Sequence, residues 1–261
     1  MAGLVIIGAL GRMGQALQEA ALAAGQPVEG LVDRPELSGA PSPVAGVSAR
    51  CTSDWTEVVK SGRVAIDFSS PAATIALLKA AAVHKTALVI GTTGMGSEGE
   101  AAVREAAQHV PVVYAANYSV GVNLLLELVE KAARILNAKQ FDAEIVEAHH
   151  KHKKDAPSGT ALMLANSLAK GRDVNLQDVA CWGREGITGE RPEGQIGIHA
   201  VRGGDVVGDH TVSFLGEGER VMISHLATSR RTFAEGAVRA AGWVASKQPG
   251  LYTMRDVLGF D

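Results

Sequence analysis

Short apolar runs alternate with amphipathic segments along the first half of the chain. Each apolar run is typical of a buried parallel strand, which places strands at residues 4–7, 28–33, 64–68, 86–90 and 110–114. Helical periodicity between these runs places helices at residues 15–24, 72–83 and 97–108. A chain that alternates strand and helix in this way predicts a doubly wound parallel sheet.

The pattern changes in the second half. A helical stripe covers residues 121–136, strict alternation at 141–148 predicts a strand, and a further amphipathic helix follows at 160–170. Three β-rich segments come next, joined by glycine-rich turns, at residues 196–201, 205–215 and 219–226. We expect these segments to form an antiparallel meander, followed by helices at 230–246 and 254–258.

A glycine turn links the first strand to the first helix. Its spacing, Gly8-x-x-Gly11-x-x-Gly14, is a variant of the dinucleotide-binding fingerprint, although a glycine turn without a ligand would look similar. Asp33 ends the second strand about 20 residues further on, where a carboxylate accepts hydrogen bonds from the adenosine ribose of NADH. Arg34 beside it could bind the additional phosphate of NADPH.

Polar loops follow two later strands of the predicted parallel sheet. They are Gly91-Thr92-Thr93-Gly94 and the segment at 115–119. Ligands of open α/β sheets bind at the carboxyl ends of strands, so both loops are candidates for cofactor contact. From the residues alone, Thr92 and Thr93 fit simple turn positions equally well.

The most unusual stretch is residues 147–160, which read E-A-H-H-K-H-K-K-D-A-P-S-G-T. Ser158 is a suitable N-cap for the helix that follows, and a helix N-terminus attracts anions. Lysines and histidines just upstream add positive charge and proton donors, which favours a catalytic pocket for a small polyanion. The alternatives are a solvated basic loop or a histidine metal site, the latter disfavoured by the neighbouring lysines.

Composition narrows the classes of function. The formal net charge of −3 exerts no overall attraction for nucleic acid or a membrane surface, and no apolar run is long enough to span a bilayer. Cys51 and Cys181 lie far apart and form no metal or redox motif, which favours free thiols in a reducing cytoplasm.

The stretch at 147–161 resembles the signature of the 4-hydroxy-tetrahydrodipicolinate reductase family, also called dihydrodipicolinate reductase. The segments at 91–94, 115–119, 202–210 and 229–233 are also similar to this family, so the resemblance covers most of the chain. It implies an α/β protein with a Rossmann-type doubly wound sheet and a second α+β domain whose sheet is largely antiparallel. The expected domains are residues 1–120, with 230–261 returning to them, for the dinucleotide, and 121–229 for substrate and homotetramer formation.

The resemblance also implies a reaction. It is the NADH- or NADPH-dependent reduction of a cyclic dicarboxylate on the lysine and diaminopimelate pathway, in the cytoplasm and without a metal. His149 corresponds to the family's proton donor and Lys153 to its second donor, while His150, Gly159 and Thr160 would hold carboxylate. The expected cofactor contacts are Gly8, Ala9, Leu10, Gly11, Arg12, Met13, Gly14, Asp33, Arg34, Gly91, Thr92, Thr93, Ala115, Ala116, Asn117 and Tyr118.

Other functions remain open on the residues alone. A reductase acting on a different small dicarboxylate is the nearest alternative, and a dinucleotide-sensing regulator would share the glycine turn. A histidine-ligated metal hydrolase is the third possibility, and metal analysis would exclude it.

Overall fold

A computed structural model describes residues 2–260. The chain forms two compact units. The first comprises the residues up to Val120 together with those from Arg230 onward, and the second is Gly121–Ser229. Among the residues described, no helix is long and apolar enough to cross a membrane.

The first unit contains a seven-stranded sheet in which every pair of neighbours is parallel. The strand order is β12-β6-β5-β4-β1-β2-β3. The strands are β1 Gly3–Ile7, β2 Val28–Val32, β3 Cys51–Thr52, β4 Arg63–Asp67, β5 Ala87–Ile90, β6 Pro111–Tyr114 and β12 Gly250–Tyr252. The predicted doubly wound sheet is therefore confirmed. Its two edge strands, β3 and β12, were not predicted because two or three residues carry no readable periodicity.

Helices connect these strands. They are α1 Arg12–Ala23, α2 Trp55–Val58, α3 Pro71–His84, α4 Gly96–Ala107, α8 Arg231–Val244 and α9 Met254–Leu258, with a 3₁₀ turn at Pro35–Leu37. Ser70 caps α3 through its side chain and Pro71 occupies the first turn, which explains why that helix begins where it does. Gly236 on α8 lets this helix approach the backbone of Tyr118, since a Cβ there would stand 1.8 Å from the Tyr118 oxygen.

The second unit contains a five-stranded sheet in the order β11-β10-β7-β9-β8. Its strands are β7 Phe141–His149, β8 Ala180–Cys181, β9 Ile196–Arg202, β10 Gly208–Gly216 and β11 Arg220–Ala227. Its helices are α5 Val120–Ile135, α6 Gly159–Gly171 and α7 Leu176–Val179. Apolar residues of α5, α6 and the inner sheet face form one core, which includes the fully buried Ile145, Leu164 and Phe214.

The predicted antiparallel meander is wrong at β9. This strand pairs with β7 in parallel, while β10 pairs with β7 on its other side and with β11, both antiparallel. The sheet is therefore mixed, although its two eight-residue ladders are antiparallel. The physical reason is that β7 takes the centre of the sheet, with Ala143 and Ile145 fully buried. The turn after β9 consequently crosses the end of β7, where Gly203 N donates to His149 O at 3.0 Å.

Candidate active site

The glycine turn of the first unit brings backbone close to the start of α1. Gly8 adopts a positive φ of 66°, which glycine tolerates best. A Cβ on Gly14 would stand 2.3 Å from the Gly8 oxygen, so only glycine fits there. Gly11 is the N-cap of α1 and offers no side chain to its first amides. The turn thus has the shape and the available N–H groups that a pyrophosphate requires.

Asp33 is tied to this turn. Its Oδ2 accepts a hydrogen bond from Leu10 N at 2.8 Å, and its Oδ1 accepts one from Arg34 N at 2.9 Å. The Arg34 side chain is 78% exposed, and its Nε lies 3.9 Å from the Asp33 carboxylate. Asp33 therefore shapes the glycine turn as well as offering its remaining lone pairs to a ligand.

A cavity of about 440 Å³ lies beside this pair. Asp33, Arg34 and Gly8 line it, with further residues that were not among the predicted contacts: Ile7, Val32, Pro35, Ser53, Trp55, Ser69, Ser70 and Ala73. An indole and three hydroxyls around an apolar floor are suited to a nucleoside. The signal in the sequence was the pair of serines that begins two residues after the last residue of β4, at the carboxyl end of a strand.

Asp67 lies beneath the Gly91–Gly94 turn and is fully buried. It accepts hydrogen bonds from the Ser69 amide, the Ser69 hydroxyl and the Thr74 hydroxyl. Burial raises the pKa of Asp67 and outweighs the lowering by these hydrogen bonds. The carboxyl group joins the loop after β4 to α3, and the Asp67 backbone oxygen accepts a hydrogen bond from Gly91 N at 2.8 Å. The Thr92 side chain is buried, while Thr93 is exposed.

The loop after β6 contains Ala115, Ala116 and Asn117. Asn117 Oδ1 accepts a hydrogen bond from Ser119 N at 2.9 Å, which turns the chain. The Tyr118 side chain is 1% exposed, so the predicted cofactor contact at this residue stays a prediction for its backbone alone. Its hydroxyl lies 2.9 Å from the Ile90 carbonyl oxygen and 3.0 Å from the Val113 carbonyl oxygen. Its ring packs edge-on against Phe68. The phenol is therefore part of the core and unavailable to a ligand.

In the second unit, Glu147 and His149 lie two residues apart on β7, so both side chains point to the inner face of the sheet. The Glu147 side chain is fully buried, and its Oε2 lies 2.6 Å from His149 Nδ1. Arg202 from β9 donates two hydrogen bonds to the same carboxylate, at 2.8 Å and 2.7 Å. Burial by itself would raise the pKa of Glu147, but the bonds from Arg202, His149 and Ser158 N prevail and lower it.

Ser158 joins this network to the start of α6. Its amide donates to Glu147 Oε1 at 3.0 Å, and its hydroxyl accepts from Ala161 N as the helix N-cap. The same hydroxyl lies 3.1 Å from His210 Nε2, and the His210 ring packs edge-on against His149. Burial, followed by the neighbouring His149, lowers the pKa of His210 to about 4, so this imidazole is neutral near pH 7.

The basic loop separates its lysines by exposure. Lys151 and Lys154 are exposed, whereas the Lys153 side chain is 20% exposed and its Nζ lies 2.8 Å from Asp155 Oδ2. His150 N donates to the Val206 carbonyl, and Lys153 N donates to the His150 carbonyl, which fixes the loop. Gly159 opens α6, and a Cβ on it would meet nothing within 4 Å, so its backbone is accessible to a ligand.

The predicted site residues thus fall into two sets. The second unit brings His149, His150, Lys153, Gly159 and Thr160 to the end of β7 and the start of α6. Within residues 2–260, no group of three or more histidine, cysteine, aspartate or glutamate side chains is placed to hold a metal ion. Glu147 and Arg202 were not predicted as parts of the site. The alternation of β7 was the available signal for Glu147, because it places a carboxylate on the buried face.

Comparison with known proteins identifies the family. Residues 2–118 match the family model described as "Dihydrodipicolinate reductase, N-terminus", and residues 121–258 match "Dihydrodipicolinate reductase, C-terminus". The chain belongs to the dihydrodipicolinate reductase family. Membership makes it an NAD(P)H-dependent oxidoreductase.

Relatives with this activity cover almost the whole chain. The 4-hydroxy-tetrahydrodipicolinate reductase of Acinetobacter baumannii is 49% identical over 262 residues, which is 98% of this chain and 96% of the relative. The enzyme of the same name from Thiobacillus denitrificans is also 49% identical and covers 98% of each chain.

A solved structure shows the same fold. Dipicolinate-bound dihydrodipicolinate reductase from Paenisporosarcina sp. TG-14 has a TM-score of 0.76 and covers 97% of both chains at 23% identity.

Proposed function

We propose that the protein reduces 4-hydroxy-tetrahydrodipicolinate to tetrahydrodipicolinate in the biosynthesis of diaminopimelate and lysine. The observation that carries this proposal is the His149–Glu147–Arg202 network beside the N-terminus of α6. It puts a proton donor and an anion-binding helix end in one unit, as a reductase of a dicarboxylate ring requires. The names of the relatives and the dipicolinate in the solved neighbour agree with this substrate class.

The first unit holds the cofactor in this proposal. The amides at the start of α1 bind the pyrophosphate, Asp33 and Arg34 meet the adenosine ribose, and the loops at 91–93 and 115–117 lie towards the nicotinamide end. NADH or NADPH supplies a hydride when bound. Asp33 favours the ribose hydroxyls of NADH, and Arg34 favours the phosphate of NADPH, so we infer that both are used.

The second unit holds the substrate and delivers the proton. The first amides of α6, at Gly159 and Thr160, bind one carboxylate, and His150 adds a further donor. Lys153 neutralises the negative charge of the ring substrate and assists proton delivery. His149 protonates the ring position that gains electron density, because Nδ1 faces Glu147 and Nε2 is left for the substrate.

We also propose a homotetramer formed through the outer face of the second sheet. Strand register places four exposed apolar side chains on this face: Val146, Val201, Met222 and Leu226. An apolar sheet face of this kind requires a cover, and a second copy of the chain would supply one. We place the assembly in the cytoplasm, where NADH and NADPH are regenerated.

The test is a coupled assay in which the preceding synthase generates the substrate in place. We expect oxidation of NADH and NADPH that stops when the synthase is omitted. Lys153→Ala should lower turnover and substrate affinity together, while Lys151→Ala, at an exposed lysine of the same loop, should have a mild effect. Absence of substrate-dependent oxidation in the wild type would refute the proposed reaction, and equal damage from both lysine variants would refute a specific role for Lys153.

A further inference from the structure

A buried carboxylate lies behind the proton donor, and packing alone does not explain it. Glu147 continues the inner-face series of Ala143 and Ile145 on β7, and all three are fully buried. Burying an ionised carboxylate is costly unless charge and hydrogen bonds compensate, whereas an apolar residue would extend the core without that cost. A glutamate at this point therefore requires a reason outside the core.

The hydrogen bonds to Glu147 account for both of its oxygens. Oε1 accepts from Ser158 N at 3.0 Å and from Arg202 at 2.7 Å. Oε2 accepts from Arg202 at 2.8 Å and lies 2.6 Å from His149 Nδ1. Arg202 is itself held by the Asp155 carbonyl at 2.7 Å, so the carboxylate cannot rotate without breaking the bidentate pair.

These contacts decide which histidine nitrogen carries a fixed hydrogen. An ionised carboxylate only accepts hydrogen bonds, so the hydrogen between Glu147 and His149 belongs to Nδ1. The other ring nitrogen, Nε2, is then the one that exchanges a proton. Gly208 leaves space beside Nε2. A Cβ on this residue would stand 3.0 Å from Nε2, which is closer than an ordinary van der Waals contact.

We propose that Glu147, clamped by Arg202 and Ser158 N, is the positioning residue that holds His149 with Nδ1 protonated and Nε2 as the nitrogen that donates the proton. The proposal rests on the proposed function. The substrate loses its 4-hydroxyl group and a ring hydrogen as water, and the resulting unsaturated ring gains a hydride from the nicotinamide and a proton from Nε2. The imidazolium becomes a neutral imidazole whose Nδ1 keeps its hydrogen and donates it in a hydrogen bond to Glu147. Solvent returns a proton to Nε2 in the next cycle.

A double-mutant cycle tests whether Glu147 acts through His149. Glu147→Gln keeps the size of the side chain but offers Arg202 and His149 an amide in place of two acceptors, so we expect kcat to fall about 100-fold. In a His149→Gln background the same change should have no further effect, because the group it positions is already gone. Multiplicative losses in the double variant, or a wild-type kcat for Glu147→Gln, would overturn the proposal.

Glu144→Gln is the matched control. Glu144 lies on the outer face of the same strand and also bonds a histidine and arginines, yet it has no contact with His149. Its kcat should stay within a factor of about two of wild type. A 100-fold loss of kcat in this variant as well would mean that any change to β7 disturbs turnover. That result would refute a specific role for Glu147.

A measurement on the wild type alone remains decisive if Glu147→Gln does not fold. Nitrogen-15 NMR of histidine-labelled protein, above the pH at which the imidazolium is lost, distinguishes the two neutral tautomers. We expect the hydrogen of His149 on Nδ1, with a strongly hydrogen-bonded proton shift. A hydrogen on Nε2 overturns the proposal. This result is independent of turnover, so failure of the coupled assay would reject the substrate without deciding the tautomer.

Discussion

One strand, β7, carries two networks made from the same residue types on opposite faces. On the inner face, Glu147 bonds His149 and Arg202. On the outer face, Glu144 bonds His199, Arg184 and Arg191. The Glu147 side chain is fully buried, whereas that of Glu144 is 15% exposed.

The difference lies in which histidine nitrogen the carboxylate takes. Glu144 bonds His199 through Nε2 at 2.7 Å, while Glu147 bonds His149 through Nδ1 at 2.6 Å and leaves Nε2 for a substrate. Burial tends to raise the pKa of Glu144, but bonds from Arg184, His199 and Arg191 prevail and lower it to about 2. The outer network therefore anchors the loop at 182–195, and the inner one prepares a proton donor. The two networks contain the same residue types, so their roles differ because Glu147 and Glu144 lie on opposite faces of β7.

Replacing the two histidines should give the largest contrast. We expect His149→Gln to lower kcat by about two to four orders of magnitude, the usual contribution of a general acid. His199→Gln, at the matching place of the outer network, should leave kcat within about twofold. Steady-state kinetics with saturating NADPH measures both. Similar rates for the two variants would remove the functional distinction between the faces.

Replacing one arginine of each network should separate their stabilities. Arg202→Ala leaves the buried Glu147 carboxylate without its counter-charge, which we expect to cost about 3–5 kcal/mol of unfolding free energy. Arg184→Ala should cost about 1 kcal/mol or less, because Glu144 keeps Arg191 and His199. Urea denaturation at pH 7 gives both values, and equal losses would contradict the claim that burial distinguishes the networks.

Acid should lower the stability of the folded protein through His210, on the inner face of the sheet. The pKa of His210 is lowered from 6.5 to about 4 in the folded protein. Between these two pH values the unfolded chain therefore binds a proton at this residue and the folded chain does not. Stability should therefore fall by about 3 kcal/mol between pH 6.5 and pH 4 on account of this residue.

His210→Asn should remove that part of the pH dependence in urea denaturation. His225→Asn should act in the same direction, because burial also lowers the pKa of His225. A His210→Asn protein whose stability depends on pH as steeply as wild type would show that another group is responsible.

The acid–base pair of the first unit should show the smallest effect. Arg34→Ala should weaken NADPH by about 1–3 kcal/mol and leave NADH nearly unchanged, since the guanidinium is 78% exposed and free to meet a phosphate.

Asp33→Ala should weaken both cofactors, NADH more, because this carboxylate also holds Leu10 N in the glycine turn. The Michaelis constants of both cofactors measure these effects. An equal loss of both cofactors in Arg34→Ala would remove the basis for dual use.

Much of this architecture could be predicted from periodicity. Apolar runs located β1, β4 and β5, and alternation located β7, because each pattern reports the burial of a face. The parallel pairing of β7 with β9 could not be predicted, since strand order depends on contacts distant in sequence. The same limit hid Arg202, which lies 55 residues from Glu147 and joins it only through the sheet. The family resemblance singled out His149 and Lys153 but could not show which imidazole nitrogen is free.

The pH profile of kcat/KM tests most directly whether His149 supplies the proton. In the wild type the rate should decline about tenfold per pH unit on the alkaline side, because the imidazolium that donates from Nε2 is lost there. In His149→Gln the residual rate should be flat over the same range, with an unchanged dissociation constant for NADPH. The same alkaline decline in His149→Gln would show that a different group donates the proton and would contradict the account.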